Sequence, residues 1–431
     1  MVVRRIGAVN NDGMNITRTF GVAGFLIILA LSMTMSVVAQ AEPYQTVDWP
    51  HWLGPNYNGI SPETGWQAKW DAGGPPIAWR ANIGIGFSSV AVVGGKLYAI
   101  GYDDGHEIVH CFDAASGQVI WSQKYPGEKV DNMHEGGPGA TPTVADGTVY
   151  TVGKQGQLHA FDADDGKVVW SSDLRKLTGR DRVPPWGYTG SAVVLGDTVY
   201  YQAGQTLAMD RLTGKVKWMS TEYEPSYGTP QPFDSNGRQA LAVLNTWGLV
   251  LLDAATGREL SKYPWQTRFS TNATTPIVHD GQVFLSTGYK RGCTLVNIRP
   301  GRCEKVYENK DMSNHLNNSI LLNGQLYGFD GNTHRNRLGE LVCMNWSDGT
   351  VRWKQRGFGV GSLIISDGKM IILSDAGELI TAEATPAGYR EISRAKVLDG
   401  KCWISPVLSG GRIYCHNAAG ELVCVDVRPE G

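Results

Sequence analysis

One pattern recurs along most of this chain and limits its fold more than any other feature. A strand-like run ends in an acidic or amide residue, a glycine follows four positions later in most copies, and a tryptophan follows eight positions later in half of them. The spacing of about 38–49 residues between copies is typical of propeller blades. The acidic or amide residues are Asp113, Asp162, Asp210, Asp253, Asn297, Asn345, Glu383 and Asp426.

A second column of turn residues gives the same number of copies. In the copy Gly139–Ser171, four short runs alternate apolar and polar residues, which predicts a four-stranded antiparallel meander ending in Trp170. Both columns count eight, so the sequence predicts an all-β, eight-bladed β-propeller over residues 76–431. The first hairpin turns are Gly94-Gly95, Asp146-Gly147, Gly196-Asp197, Asn236-Gly237, Asp280-Gly281, Asn323-Gly324, Asp367-Gly368 and Gly410-Gly411.

The eighth copy has no fourth strand of its own after Asp426. The run Pro76–Arg80 resembles the strand around Trp170 and comes before the first blade. We expect the strand around Trp79 to pair with Leu422–Asp426, because this pairing closes the ring and removes exposed strand edges.

The N-terminus has the organisation of a secretory signal. Arg18 precedes an apolar run from Phe20 to Val38, and Ala39-Gln40-Ala41 matches an A-x-A cleavage pattern. Residues 1–41 are therefore predicted to be a signal peptide cleaved near Ala41, which exports the protein to the periplasm or beyond. An uncleaved membrane anchor is the alternative, and Met14 is a second possible start.

Residues 42–75 are rich in aromatic side chains, glycine and proline and lack strand alternation. We predict that they form a lid segment that wraps one face of the ring before the closing strand. The alternative is that they contribute to a binding site.

Composition argues against several functions. The formal net charge is −2 and no basic stripe is present, so nucleic-acid binding is not expected. The nine histidines are scattered without zinc-site spacing, so no metal site is predicted. Of the seven cysteines, Cys111, Cys343 and Cys424 share one small, core-facing repeat position, so we expect no disulfide framework.

Propeller geometry places the candidate site. One face carries short regular turns, whereas the blade-to-blade connections on the other, variable face are long, and two hairpin loops, Gly101–His110 and Phe329–Glu340, are predicted to be enlarged there. Residues at the ends of these connections should converge at the mouth of the central channel and bind a ligand or partner. The alternative is that they fill the channel as core. The candidates are Trp186, Tyr188, Tyr227, Asn272, His315, Asn317, Arg356, Lys401 and Trp403.

The unit Ala-x-Asp-x-x-Thr/Ser-Gly-Lys-x-x-Trp, matched by Asp113–Trp121, Asp162–Trp170 and Asp210–Trp218, resembles the tryptophan-docking repeat of the pyrroloquinoline quinone (PQQ)-like β-propellers. Asn309–His315, Arg356–Gly361 and Gly400–Trp403 are similar to stretches of uncharacterised exported bacterial proteins of that type. The family contains quinoprotein alcohol dehydrogenases, which hold PQQ and calcium, and non-catalytic members that serve outer-membrane assembly.

The chain lacks the adjacent cysteine pair on which the family's enzymes stack PQQ, and it lacks the Cys-x-x-Cys-His motif of the haem-fused members. We therefore predict an exported, non-catalytic binding or scaffolding protein of the cell envelope. It would act as a monomer without a cofactor, bind a protein or envelope partner on its variable face, and contact the membrane only through an uncleaved signal.

Two enzymes are the alternatives. In a PQQ-dependent oxidoreductase with calcium, Trp186 and Trp403 would stack the quinone, Arg356 or Lys401 would polarise it, and Asp399 would act as base. In a polysaccharide hydrolase or lyase, Glu222 and Glu224 would be the acidic pair.

Overall fold

The computed structural model describes residues 47–71, 73–333 and 338–429 of the 431-residue chain. Within these ranges, eight sheets follow one another, and each contains the four antiparallel strands of one repeat. The predicted eight-bladed propeller is confirmed, and the third strand of every blade ends on the predicted acidic or amide residue. The predicted signal peptide, residues 1–41, lies outside the described residues.

The first four blades are contiguous in sequence and run from an innermost to an outermost strand. Their strands are Ala91–Val93, Lys96–Asp103, His106–Asp113 and Val119–Pro126 in blade one; Thr143–Ala145, Thr148–Val152, Gln157–Asp162 and Val168–Asp173 in blade two; Val193–Leu195, Thr198–Ala203, Gln205–Asp210 and Val216–Met219 in blade three; Gln231–Asp234, Gln239–Leu244, Gly248–Asp253 and Glu259–Pro264 in blade four.

The last four blades repeat this order, except that the outermost strand of blade eight comes from the N-terminal side of the ring. Their strands are Ile277–His279, Gln282–Thr287, Gly292–Asn297 and Glu304–Asn309 in blade five; Ile320–Leu322, Gln325–Asp330, Glu340–Asn345 and Val351–Gln355 in blade six; Ser362–Ser366, Lys369–Leu373, Glu378–Glu383 and Glu391–Lys396 in blade seven; Val407–Ser409, Arg412–His416, Glu421–Asp426 and Ile77–Asn82 in blade eight.

The one helix among the described residues, Leu174–Thr178, lies in the connection from blade two to blade three. Asp173 caps its start by accepting the backbone N–H of Arg175. With five residues it is far too short to cross a bilayer, and no other described segment forms a helix long and apolar enough to do so.

The prediction of an enlarged loop at Gly101–His110 is wrong. These residues are paired, with Gly101 opposite Ile108 and Asp103 opposite His106, and only Asp104-Gly105 form the turn. Gly101 interrupts the apolar pattern for a separate reason, since a Cβ there would lie 1.9 Å from the carbonyl oxygen of Ile83. The residues of the second predicted loop from His334 to Arg337 lie outside the described part of the chain.

The repeated tryptophans dock each blade onto the next one. The Trp121 indole N–H donates to the Ala163 carbonyl at 3.1 Å, across the boundary between blades one and two. Gly166, with φ 73°, leaves room for the ring, because a Cβ there would lie 2.7 Å from it. In blade five, which lacks the tryptophan, Tyr307 packs against Gly349 in the same way.

The ring is closed by the two ends of the chain, as predicted. Ile77–Asn82 pairs antiparallel with Glu421–Asp426, and Trp79 lies opposite Cys424. The Trp79 indole donates to the carbonyl of Ala114 in blade one, and its ring packs over Gly117. Blade eight thus docks on blade one by the contact that joins blades one and two.

The described part of the lid segment contacts the short-turn ends of the innermost strands. Ile60–Ser61 adds a parallel strand to Ile365–Ser366 of blade seven, and the Glu63 carboxylate accepts the N–H groups of Gly410 and Gly411. Asp48 accepts the N–H of Gly94 at 3.0 Å. All these partners lie in or beside first-hairpin turns, so the segment crosses the face opposite the long connections.

Candidate functional site

A cavity of about 150 Å³ lies at the centre of the ring on the variable face. Its lining comes from connections around the ring and from the hairpins that carry Lys154 and Tyr289. Met133, at the cavity mouth, is 71% exposed, whereas the polar groups deeper in the ring are buried. The cavity is therefore open to solvent at the variable face.

Hydrogen bonds between successive blades fix the base of the cavity. The backbone N–H of Ser89 donates to Thr141 Oγ1 at 3.1 Å, that of Thr141 to Ser191 Oγ at 2.8 Å, and that of Ser191 to Thr229 Oγ1 at 2.9 Å. Each of these residues lies just before an innermost strand, and each acceptor belongs to the next blade. This relay holds the ends of the connections at the axis.

Trp52 of the lid segment also lines the cavity, from the short-turn side. Its indole N–H donates to Thr275 Oγ1 of blade five at 3.0 Å. The N-terminal segment thereby contributes one wall of the cavity, in addition to its contacts with the turns.

Aromatic side chains make up much of the remaining wall. Phe87 packs against Trp403 with ring centroids 5.9 Å apart and against His134 at 5.1 Å. Trp186 packs edge-on against Tyr227 at 5.5 Å. Such a wall offers a large apolar surface to a ligand and keeps its own geometry through ring contacts.

Lys154 brings a charge into this apolar wall. It is only 2% exposed and lies in the turn between the second and third strands of blade two. Burial lowers the pKa of Lys154 to about 8, although Glu107 acts in the opposite direction. The carboxylate of Glu107 accepts the backbone N–H of Lys154 and the hydroxyl of Tyr125, and the structure shows no ion pair between the two side chains.

A second lysine lies at the rim and is paired. The Lys401 ammonium contacts both oxygens of Glu135, at 2.8 and 2.9 Å, and lies 4.5 Å from the centroid of Trp403. Burial raises the pKa of Glu135, but the Lys401 hydrogen bonds outweigh it and hold that pKa below its usual value. Burial, together with the charge of Lys154, lowers the pKa of His134 to about 4, so this ring is neutral at pH 7.

The structure brings together five of the nine predicted site residues. These five line the cavity; they are Trp186, Tyr227, His315, Asn317 and Trp403. Lys401 touches Trp403 at the rim. His315 hydrogen-bonds Thr333 at 3.0 Å, and the Asn317 amide donates to the Gly361 carbonyl at 2.8 Å.

The other three predicted residues do not line the cavity. Tyr188 is 2% exposed and packs in the core between blades two and three. Asn272 is fully buried and donates to the carbonyls of Asn245 and Trp265. Arg356 is exposed and pairs with Glu340 at 2.7 Å.

Sequence reasoning missed several lining residues, of which Lys154, Phe87 and Trp52 matter most. A serine or threonine lies two residues before the innermost strand in six of the eight blades, and that signal could have located the base of the cavity. No comparable signal marks Lys154, since lysine is ordinary in a hairpin turn.

The lining does not fit PQQ with calcium. Calcium takes six to eight oxygen ligands, carboxylates prominent among them, and none of the described residues that line the cavity is an aspartate or glutamate. Residues 47–71, 73–333 and 338–429 also contain no cluster of three or more histidine, cysteine or acidic side chains that could hold a metal.

The sequence profile of a family described as outer membrane protein assembly factor BamB matches residues 60–231 and 105–355. The two matches together span more than half of the chain. None of the curated protein sequences compared with it matches.

Solved structures share the fold at low sequence identity. BamB from Moraxella catarrhalis superposes with a TM-score of 0.60 and 16% identity, covering 83% of this chain and 98% of its own. Quinohemoprotein alcohol dehydrogenase from Comamonas testosteroni gives 0.62 and 15%, covering 89% and 81%. A europium-containing methanol dehydrogenase gives 0.66 and 12%, covering 87% and 89%. At these identities the likeness establishes the fold and leaves the activity open.

Proposed function

Since this chain belongs to the PQQ-like β-propeller family described as outer membrane protein assembly factor BamB, we propose that it is an exported, non-catalytic binding or scaffolding protein of the bacterial cell envelope. It acts as a monomer and engages a protein or envelope partner through its variable face. The aromatic cavity that opens on this face is the observation that carries the proposal.

The chemistry of the cavity favours binding over catalysis. Its described lining contains one buried amine, the imidazoles of His134 and His315, neutral hydroxyl and amide groups, and aromatic rings, but no carboxylate that could serve as general acid or base. His134 is neutral at pH 7 and its Nδ1 accepts the backbone N–H of Gly136, so it helps to order its own loop. Glu222 and Glu224 both pair with Arg180 on the surface, which gives them a structural role.

Paired surface variants test the working face. The variant with Trp186→Ala and Trp403→Ala removes two cavity aromatics, and the control Asp165→Ala removes an exposed group on the short-turn face. We expect partners crosslinked to the native protein in an envelope extract to be lost with the double variant and kept with the control. If the crosslinked partners are lost only with Asp165→Ala, the working surface is the short-turn face and this assignment is wrong.

A direct assay separates binding from redox catalysis. The purified protein is incubated with PQQ and calcium and offered primary alcohols and aldose sugars with a dye as electron acceptor. We expect no PQQ-dependent dye reduction. Sustained reduction would replace this proposal with the quinoprotein oxidoreductase.

Export is tested on the mature protein. The mass of the protein recovered from the cell envelope should correspond to a chain that begins near Glu42, after cleavage at Ala41. Recovery of the full-length chain in the membrane fraction would show that the signal is retained as an anchor.

A further inference from the structure

Lys154 is a buried cation whose side-chain ammonium has no acidic partner in the part of the chain that the structure describes. The residue is 2% exposed, and its ammonium forms neither an ion pair nor a hydrogen bond there. Buried lysines are normally paired, because removing an ammonium ion from water without compensation is costly. If this position binds an anion, that function explains why the fold keeps an unpaired buried ammonium group.

Two groups face Lys154 and neither satisfies it. Glu107 is fully buried, but its two oxygens accept the backbone N–H of Lys154 and the hydroxyl of Tyr125. His134 is neutral at pH 7 and accepts the N–H of Gly136. Gly187 leaves room for the side chain, since a Cβ there would lie 2.7 Å from Lys154 Cδ.

The cavity around Lys154 selects the class of anion. One ammonium group balances a single negative charge, and Lys154 is the one lysine or arginine among the described residues of the lining, which therefore offer no second such cation for a phosphate dianion. The aromatic wall suits a flat apolar body, and a volume of about 150 Å³ corresponds to one ring. A carboxylate on one aromatic ring satisfies all three conditions.

We propose that this cavity binds a small one-ring aromatic monocarboxylate, with the carboxylate paired to the Lys154 ammonium and the ring packed among Trp186, Tyr227 and Trp403. This inference rests on the proposed function in that it makes the same cavity a binding site. It adds the ligand's chemistry and the residue that recognises it.

The pH dependence follows from the charge on the lysine. Binding requires the ammonium form, so affinity should be constant below the pKa of Lys154, which is about 8 in the free protein, and fall as the pH rises above it. A bound carboxylate stabilises the ammonium, so binding at pH 8 should take up protons. Burial raises the pKa of Glu107, and any proton that it loses as the pH rises adds negative charge beside the site, which also weakens carboxylate binding. His134 is already neutral, so neither group reverses this trend.

The experiment is calorimetric titration of the full mature protein with benzoate, with benzamide as the neutral ligand of matched shape. We expect benzoate to bind at least about tenfold more tightly than benzamide at pH 7. The preference should shrink as the pH rises from 7 to 10, and titrations at pH 8 in buffers of different ionisation enthalpy should show proton uptake.

Two variants assign the effect to a residue. Lys154→Met keeps the length and apolar stem of the side chain and should lose the tenfold preference for benzoate while binding benzamide as before. Lys262→Met, on the outermost strand of blade four and away from the cavity, is the matched control and should keep the preference. If Lys154→Met does not fold, the native preference and its pH profile still decide.

Equal binding of benzoate and benzamide, or failure of both to bind, overturns this inference. So does an unchanged preference in Lys154→Met. None of these results affects the crosslinking test of the variable face, so a scaffold that binds only macromolecules would be distinguished from one whose proposed working face is wrong.

Discussion

Two buried charged side chains at opposite ends of the central channel show that similar burial can accompany different roles. Glu63, on the short-turn side, is fully buried, and its oxygens accept the N–H groups of Val47, Gly410 and Gly411. Lys154, on the variable side, is equally buried, but its ammonium meets no comparable set of partners among the described residues. The first charge is matched by backbone donors from two segments and fastens the lid segment to the ring. The second is left for something outside the chain.

The comparison indicates how structural and functional charges differ in a rigid repeat fold. A buried charge whose hydrogen bonds are complete stabilises one arrangement of the backbone. A buried charge without them lowers stability and is retained only where it serves another purpose. The following experiments separate the two ends of the channel, beginning with the largest expected effect.

Deleting Gln45–Asn82 should have the largest effect, because it removes the lid segment and the outermost strand of blade eight together. The ring would then have an open edge at Glu421–Asp426, and Gly410 and Gly411 would lose their acceptor. We expect an aggregating, protease-sensitive protein without cooperative unfolding in calorimetry. A chain that lacks only residues 1–41 is the control. A truncated ring that melts at the same temperature as this control would contradict the closure.

Trp79 at the ring closure and Trp403 at the cavity mouth should differ in their contribution to the free energy of unfolding. Trp79→Ala removes a buried ring that docks blade eight on blade one, and should lower the free energy of unfolding by about 3–5 kcal/mol. Trp403→Ala removes a half-buried ring at the cavity mouth and should lower it by about 1 kcal/mol. Urea denaturation of both variants measures the difference. Equal losses would mean that Trp403 is part of the core.

Lys154→Met should stabilise the folded protein at neutral pH. Burial lowers the pKa of Lys154 from 10.5 to about 8, which corresponds to about 3 kcal/mol of destabilisation below pH 8. As the pH rises from 8 to 10.5, the folded state loses its proton first and the penalty disappears. The stability gap between variant and native protein should therefore close over this range.

The gap, and not the stability of either protein alone, is the quantity to measure. Burial raises the pKa of Cys111 to about 11, so the unfolded thiol ionises first and both proteins lose stability above pH 9. Subtracting the two urea titrations at each pH removes this shared contribution. A gap that does not change between pH 7 and 10.5 would contradict the lowered pKa of Lys154.

Glu63→Gln should lower stability less than Trp79→Ala does and should leave the cavity unchanged. It replaces one acceptor oxygen by an N–H₂ group facing backbone N–H donors and should cost about 2 kcal/mol in urea denaturation. Benzoate affinity should stay within twofold of the native value, since Glu63 lies on the short-turn side. A selective loss of benzoate binding would show that the two ends of the channel are coupled.

The sequence alone predicted the blades because their determinants are local. Asp162 forms its turn by accepting the N–H groups of Asp164 and Asp165, two and three positions later. Such contacts repeat with the blade period and can be counted without a structure. Ring closure was also predictable, because the strand around Trp79 carries the same pattern as its counterparts.

The cavity was predictable only in part, because the distance of a side chain from the ring axis depends on where its residue stands within a connection. Trp186, Tyr227 and Trp403 stand near the ends of their connections, where the chain has returned to the axis. Arg356 directly follows the outermost strand Val351–Gln355 and is still at the periphery. Lys154 was missed because its burial depends on Gly187, which packs on it from the connection to blade three.

The closing strand also sets the order in which this protein can finish folding. Arg80 and Glu421, which pair across the closure, are separated by 341 residues. At typical rates of synthesis, Ile77–Asn82 waits about 20–70 s for its partner to emerge. The other seven blades are contiguous and can form as they are made, so closure is the last and slowest contact to gain. Until then Trp79 and its strand are unpaired, and this interval is when the chain is most exposed to aggregation.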